Sequence, residues 1–273
     1  MPDPNPIVLP EAHEPPPEML APFEDPVRIA MWSGPRNIST AMMRSFGNRP
    51  DAAVIDEPFY AAYLAHTGLD HPMREEVLAS QPRDWREVVM TLIGPIPGEK
   101  PIFYQKHMTH HMLPEFGRDW IDQVRSAFLI RRPESVLASY ADKRADVTLA
   151  DIGFVEQAQI FDMVAERLGE APPVIDAADV LADPAGTLAA LCDALAIPFR
   201  RSMLSWPPGR RPEDGVWAPV WYGAVETSTG FSPPRAEIAF EALDDRLKPI
   251  AEAARPLYER LASHALRAGR TGN

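Results

Sequence analysis

The residues with the most chemistry within reach of one another lie in Ser33-Gly34-Pro35-Arg36-Asn37-Ile38-Ser39-Thr40. Arg36 offers a planar cation able to hold two oxygens of a phosphate or sulfate at once. If Gly34 and Pro35 turn the chain and a helix starts near Ser39, the loop N–H groups, the helix N-terminus and the hydroxyls of Ser39 and Thr40 converge. Orphan N–H groups and the helix dipole both favour negative charge, so the stretch reads as an anion site with Gly34, Pro35, Arg36, Asn37, Ser39 and Thr40 as its contacts. An ordinary turn capped by Ser39 or Thr40 uses the same residue types.

Further groups fall at the ends of apolar runs. Glu57 follows the short run Ala52–Ile55, and a carboxylate at the C-terminal end of a strand in an open α/β sheet lies where ligands bind. It reads as a base, an acceptor anchor or a solvated loop acid. Lys106, one of four lysines, ends the run from Pro101 together with His107. Lys106 would neutralise charge and His107 could be a base. Neighbours in a strand point to opposite faces, so the two aim together only if the strand has already ended. His107, His111 and Glu115 have the spacing of helical metal ligands, although Pro114 interrupts the helix that would align them. Arg131 ends the run Val124–Ile130, and Ser139 lies two turns into a helix that Pro133 starts, so both could reach one phosphate.

The elements that must position these groups alternate strand and helix. Val27–Trp32, Ala52–Ile55, Pro101–His107, Val124–Ile130 and Pro173–Asp176 read as buried strands. Helices are expected after Ile38, around Tyr60–Leu64, over 84–92, after Pro133, over 151–168, over 184–195 and from Arg235 to about Leu266. The pattern predicts an α/β fold in three layers, a mostly parallel sheet flanked by helices. The helix over 84–92 reads as a lid or packing element. Residues 1–26 hold nine of the 31 prolines, several acids and no Lys or Arg, and are expected to form a tail or strap before a single domain over 27–273.

The chain has 273 residues, a formal charge of -12 and 45% hydrophobic residues, enough for one sizeable core. An acidic protein is a poor partner for nucleic acid or an anionic membrane, yet a local cluster of arginines can still focus a positive field in one cleft. Cys192 is the single cysteine, so an intrachain disulfide is excluded, which suits a cytoplasmic location. No run is apolar enough to span a bilayer, and the N-terminus lacks the features of a secretory leader.

Ser33–Thr40 is not a Walker A loop, which ends in Gly-Lys-Ser/Thr. It resembles the 5′-phosphosulfate loop of the sulfotransferases, and Leu-Ile-Arg-x-Pro-x-x-Val-x-x-Ser resembles that family's 3′-phosphate motif, its Arg and Ser falling on Arg131 and Ser139. Asp56-Glu57-Pro58-Phe59 looks like the Glu-Pro segment of carbohydrate and bacterial sulfotransferases, which favours Glu57 over His107 as the base. Arg210, Arg211 and Gly215 resemble the family's late Arg-Lys-Gly segment loosely, at a different spacing. The resemblance implies a P-loop-like fold and sulfuryl transfer from 3′-phosphoadenosine 5′-phosphosulfate (PAPS) to a hydroxyl or amine of a small-molecule or carbohydrate acceptor, with no resident metal. A P-loop-like small-molecule kinase and a non-catalytic nucleotide-binding protein of the same fold are the alternatives.

Overall fold

β1 (Val27–Ser33) is apolar at nearly every position because both of its faces are covered. Such a strand belongs at the centre of a parallel sheet. The computed structural model describes residues 25–141, 146–234 and 236–267, and in it β1 is the middle of five parallel strands in the order β2-β3-β1-β4-β5. The others are β2 (Ala52–Asp56), β3 (Ile102–Met108), β4 (Arg125–Ile130) and β5 (Val174–Asp176).

Alternation along β1 divides the core. Val27, Ile29 and Met31 face a layer built with Met42, Met43 and Phe46 of α1 (Ser39–Gly47) and Leu188 and Leu191 of α8 (Pro184–Ala194). Ala30 and Trp32 face the opposite layer, which holds α4 (Trp85–Ile93), α6 (Phe154–Leu168) and the end of α11 (Lys248–Ala262). The expected three layers are therefore present. Between them in chain order lie α2 (Tyr60–Thr67), α3 (Arg74–Ser80), α5 (Pro133–Ala141), α7 (Ala177–Ala182) and the single turns α9 (Ala218–Trp221) and α10 (Gly223–Glu226).

Differences from the sequence reading have local causes. The last helix begins at Lys248 rather than Arg235, because Pro249 sits in its first turn, where a missing N–H and a fixed φ suit a helix start. Leu243 and Leu247, upstream of it, are buried from irregular backbone. α4 is a packing element: Val88 and Leu92 are buried against Phe59, Phe116 and Trp120, and Asp84 caps it by accepting from the Arg86 N–H at 2.9 Å. Residues 1–24, most of the expected strap, and 268–273 lie outside the described residues. Among those described, no helix is long and apolar enough to cross a membrane.

Candidate active site

A cavity of about 350 Å³ opens at the C-terminal edge of the sheet, where β1 has its neighbours on opposite sides and open α/β sheets bind ligands. Gly34 does not line it. A Cβ there would come within 2.5 Å of the Ile152 carbonyl oxygen, so this glycine lets two backbones meet. Pro35, Arg36, Asn37, Ser39 and Thr40 do line the cavity. The cap residue of α1 is Ile38, which makes no side-chain cap bond, so neither Ser39 nor Thr40 serves as the cap and the first-turn amides are not closed off by a side chain.

The side chains expected to hold phosphates meet at the cavity. Arg36 Nε donates to Ser139 Oγ at 3.0 Å, and Arg131 Nη1 donates to the Arg36 carbonyl at 2.6 Å. Both bonds join the loop after β1 to the segment after β4, and Arg131, Arg132, Ser135 and Ser139 also line the cavity. Arg36 has φ +57°, a conformation that disfavours any residue with a Cβ and persists where surrounding bonds enforce it. The Arg131 bond to its carbonyl is such a bond. Asn37 Nδ2 donates to the Leu129 carbonyl at 2.7 Å, while its enclosed Oδ1 has no partner among the described residues.

The β2–β3 side carries a buried polar cluster. Lys106 Nζ donates to Asp56 Oδ1 at 2.8 Å, Glu57 Oε1 at 2.5 Å and the Tyr222 hydroxyl at 2.8 Å. An ammonium has three protons, and all are engaged. Lys106 lines the cavity as expected of its position, and two carboxylates already engage its charge. Burial alone would depress its pKa, but Asp56 and Glu57 outweigh that and hold it well above the ordinary lysine value. Asp56 Oδ2 also accepts from the Tyr222 hydroxyl at 2.6 Å and the Gly215 N–H at 3.1 Å.

Glu57 is the carboxylate of this cluster that lines the cavity. Burial, opposed by Lys106, raises its pKa above the ordinary value. Its φ is +41°, and its backbone is held from both ends. The Glu57 N–H donates to the Lys106 carbonyl at 2.9 Å, and its own carbonyl accepts from the Tyr60 N–H at 3.0 Å and from Gln81 Nε2 at 3.1 Å.

His107 is not at the cavity. β3 runs on to Met108, so His107 stays in the strand and turns to the face opposite Lys106. It stacks on Trp32 with ring centroids 4.4 Å apart, and its Nε2 pairs with Gln105 Oε1 at 3.2 Å. The geometry removes it from the candidate bases. The metal arrangement also fails to form: His107 is enclosed in the core, His111 lies in the 3₁₀ turn Thr109–His111, and Glu115 is exposed beside His66.

Burial pushes His107 down from its ordinary 6.5 to about 3. Unfolding therefore exposes an imidazole that takes a proton first. Its contribution to stability is full above pH 6.5 and is lost, at about 1.4 kcal/mol per pH unit, as the pH falls towards the folded value. Denaturant titrations at pH 7 and pH 4.5 should show a smaller loss of stability on acidification for His107→Phe than for the native chain. An equal loss would mean that His107 is not held neutral by the core.

Arg210 and Arg211 do not line the cavity either. Arg210 is exposed and 3.7 Å from Glu226. The Arg211 N–H donates to Asp214 Oδ2 at 2.8 Å, and the same carboxylate oxygen takes a 2.7 Å bond from buried Arg44 of α1. This pins the segment to the outside of α1, which corrects its expected position over a 3′-phosphate. Tyr222 is the residue that sequence reasoning missed: its hydroxyl also accepts from Trp217 Nε1 at 3.1 Å. It is 166 residues from Asp56, and no motif spans such a separation.

Residues 27–265 match the family described as "Sulfotransferase domain". Two Arabidopsis thaliana proteins are similar in sequence. "Branched-chain-amino-acid aminotransferase-like protein 1" is 39% identical over 240 residues, covering 88% of this chain and 42% of that protein. "Branched-chain-amino-acid aminotransferase-like protein 2" is 40% identical over 207 residues, covering 76% and 36%. The chain thus spans less than half the length of either. A sulfotransferase from Alicyclobacillus acidocaldarius has a similar fold, with a TM-score of 0.50 at 12% identity over 88% of this chain and 97% of that one.

Proposed function

This chain belongs to the sulfotransferase-domain family, and from that premise we propose that it moves a sulfuryl group from PAPS to an acceptor nucleophile. The carrying observation is the meeting of the loop after β1 with the segment after β4, through the Arg36–Ser139 bond at 3.0 Å inside one cavity. Arg36, Arg131, Ser39, Ser139, Thr40 and an open helix N-terminus suit a ligand with two anionic groups. The orphaned Asn37 Oδ1 is an acceptor in the same wall, as a ligand N–H or O–H would require.

In this reading Arg36, Ser39 and Thr40 hold the 5′-phosphosulfate end, and Arg131 with Ser139 holds the 3′-phosphate. Glu57 takes the proton of the acceptor, and Lys106 orients the carboxylate and limits how far burial raises its pKa. The remaining catalysis is alignment and electrostatic stabilisation of an in-line displacement. A small-molecule or carbohydrate acceptor and a cytoplasmic location complete the proposal.

A ligand that binds only the folded state raises apparent stability in proportion to the logarithm of its excess over Kd. Thermal shift should respond to adenosine 3′,5′-bisphosphate more strongly than to AMP at equal concentration. An equal response would remove the 3′-phosphate site, and no response to either would remove the nucleotide reading.

A further inference from the structure

β1 divides the cavity into halves of different charge. The half towards β4 and β5 holds Arg131 and Arg132, with Arg36 leaning that way through Ser139, against the two acids Asp176 and Glu237, the latter paired with Arg132. The β2–β3 half is lined by Glu57, His71, Lys106, His110, His111 and Tyr222. Among the described residues lining that half, Lys106 is the only permanent cation, and it is already held by Asp56 and Glu57 together. Two carboxylates against one ammonium leave this half net negative when Glu57 is ionised and the imidazoles of His71, His110 and His111 are neutral.

We infer that the acceptor presents an uncharged hydroxyl to this half of the cavity and brings no anionic group into it. The inference rests on the sulfuryl-transfer reading and narrows its acceptor. An anionic acceptor would meet Glu57, with Asp56 behind it, and no unmatched permanent positive charge to receive it. The other polar side chains available there suit a neutral ligand. The Nδ1 atoms of His110 and His111 are enclosed without a partner. Burial pushes His110 down to about 3, and His111 lies well below its ordinary value for the same first cause. A neutral imidazole exchanges hydrogen bonds with a hydroxyl but offers no counter-charge.

Proton balance separates the hydroxyl from the amine. With a hydroxyl, the acceptor O–S bond forms while the bond from sulfur to the phosphate oxygen breaks. The leaving bisphosphate keeps that electron pair, and the one acceptor proton passes to Glu57. An amine arrives as an ammonium with no lone pair, so it must lose one proton before attack and a second once the S–N bond forms. Asp56 already accepts three hydrogen bonds, which leaves Glu57 as the single carboxylate of the cluster with a role for one proton.

The test uses three probes that share a benzyl body and differ in charge: benzyl alcohol, benzylamine and 4-(hydroxymethyl)benzoate. Transfer of label from ³⁵S-PAPS is followed with each at pH 7, and bisphosphate binding is measured in parallel by thermal shift. Benzyl alcohol should be sulfated at least about tenfold more efficiently, in kcat/KM, than either charged probe. His110→Arg, which adds a cation to this half, should raise relative use of the benzoate. Comparable use of the amine or the benzoate by the native chain would overturn the inference, as would transfer to none of the three. If bisphosphate still binds in those cases, the donor reading stands and only the acceptor inference falls.

Discussion

Glu57→Gln should lower turnover by about 10²–10⁴-fold, the usual scale for a lost general base, while leaving bisphosphate affinity near that of the native chain. The substitution keeps the shape of the side chain and an oxygen that can accept from Lys106, but it removes the site for the acceptor proton. His107→Asn is the matched control, because His107 packs behind the sheet against Trp32. Steady-state assays on variants first shown to bind bisphosphate decide between them. A large drop in His107→Asn alone would mean that the cavity is organised differently in solution, and near-normal turnover in both would move the proton to the acceptor, another residue or water.

The pH profile carries the same prediction in a second form. Burial raises Glu57 above its ordinary 4.5, so the base takes up a proton at a higher pH than an exposed carboxylate does. Turnover should fall as the pH drops through that raised value. The acid limb should be absent from the residual activity of Glu57→Gln.

Arg131→Ala should abolish the preference for adenosine 3′,5′-bisphosphate over AMP. A hydrogen bond to a charged group contributes about 1.5–3 kcal/mol, so the bisphosphate should lose on the order of 10- to 150-fold in affinity. Arg131 also holds the Arg36 carbonyl at 2.6 Å, and its removal loosens the loop after β1 itself. The ratio of the two ligands separates these effects. A loosened loop weakens AMP and bisphosphate alike and preserves their ratio, whereas loss of a 3′-phosphate contact brings the ratio close to one. Calorimetric titration of both ligands into Arg131→Ala and Arg131→Lys measures it, and an unchanged ratio in Arg131→Ala would remove this residue from the 3′-phosphate site.

The loop after β1 and the Arg131–Ser139 segment were legible because each is local. A strand, a tight turn and a helix within a few residues fix where the side chains between them project. Glu57 was legible for the same reason, since its place at the end of β2 follows from the apolar run before it. Lys106 and His107 were harder. Their types pointed to chemistry, but which one faces the cavity depends on whether the strand ends at His107 or continues, and one residue more of β3 reversed the answer for His107.

From the sequence alone came the strands, the order of strand and helix, the layered architecture and the two segments that meet at the cavity, because all of these are set by periodicity, turn residues and neighbours in the chain. Tertiary structure alone decided that Tyr222 and Gly215 reach Asp56, that Arg210 and Arg211 stay outside the cavity, and that Lys106 has its charge balanced by two acids. These depend on how a distant segment folds over the edge of the sheet. Burial and charge compensation are properties of that assembled edge, where water is excluded and partners come from separate strands, and no local pattern encodes them.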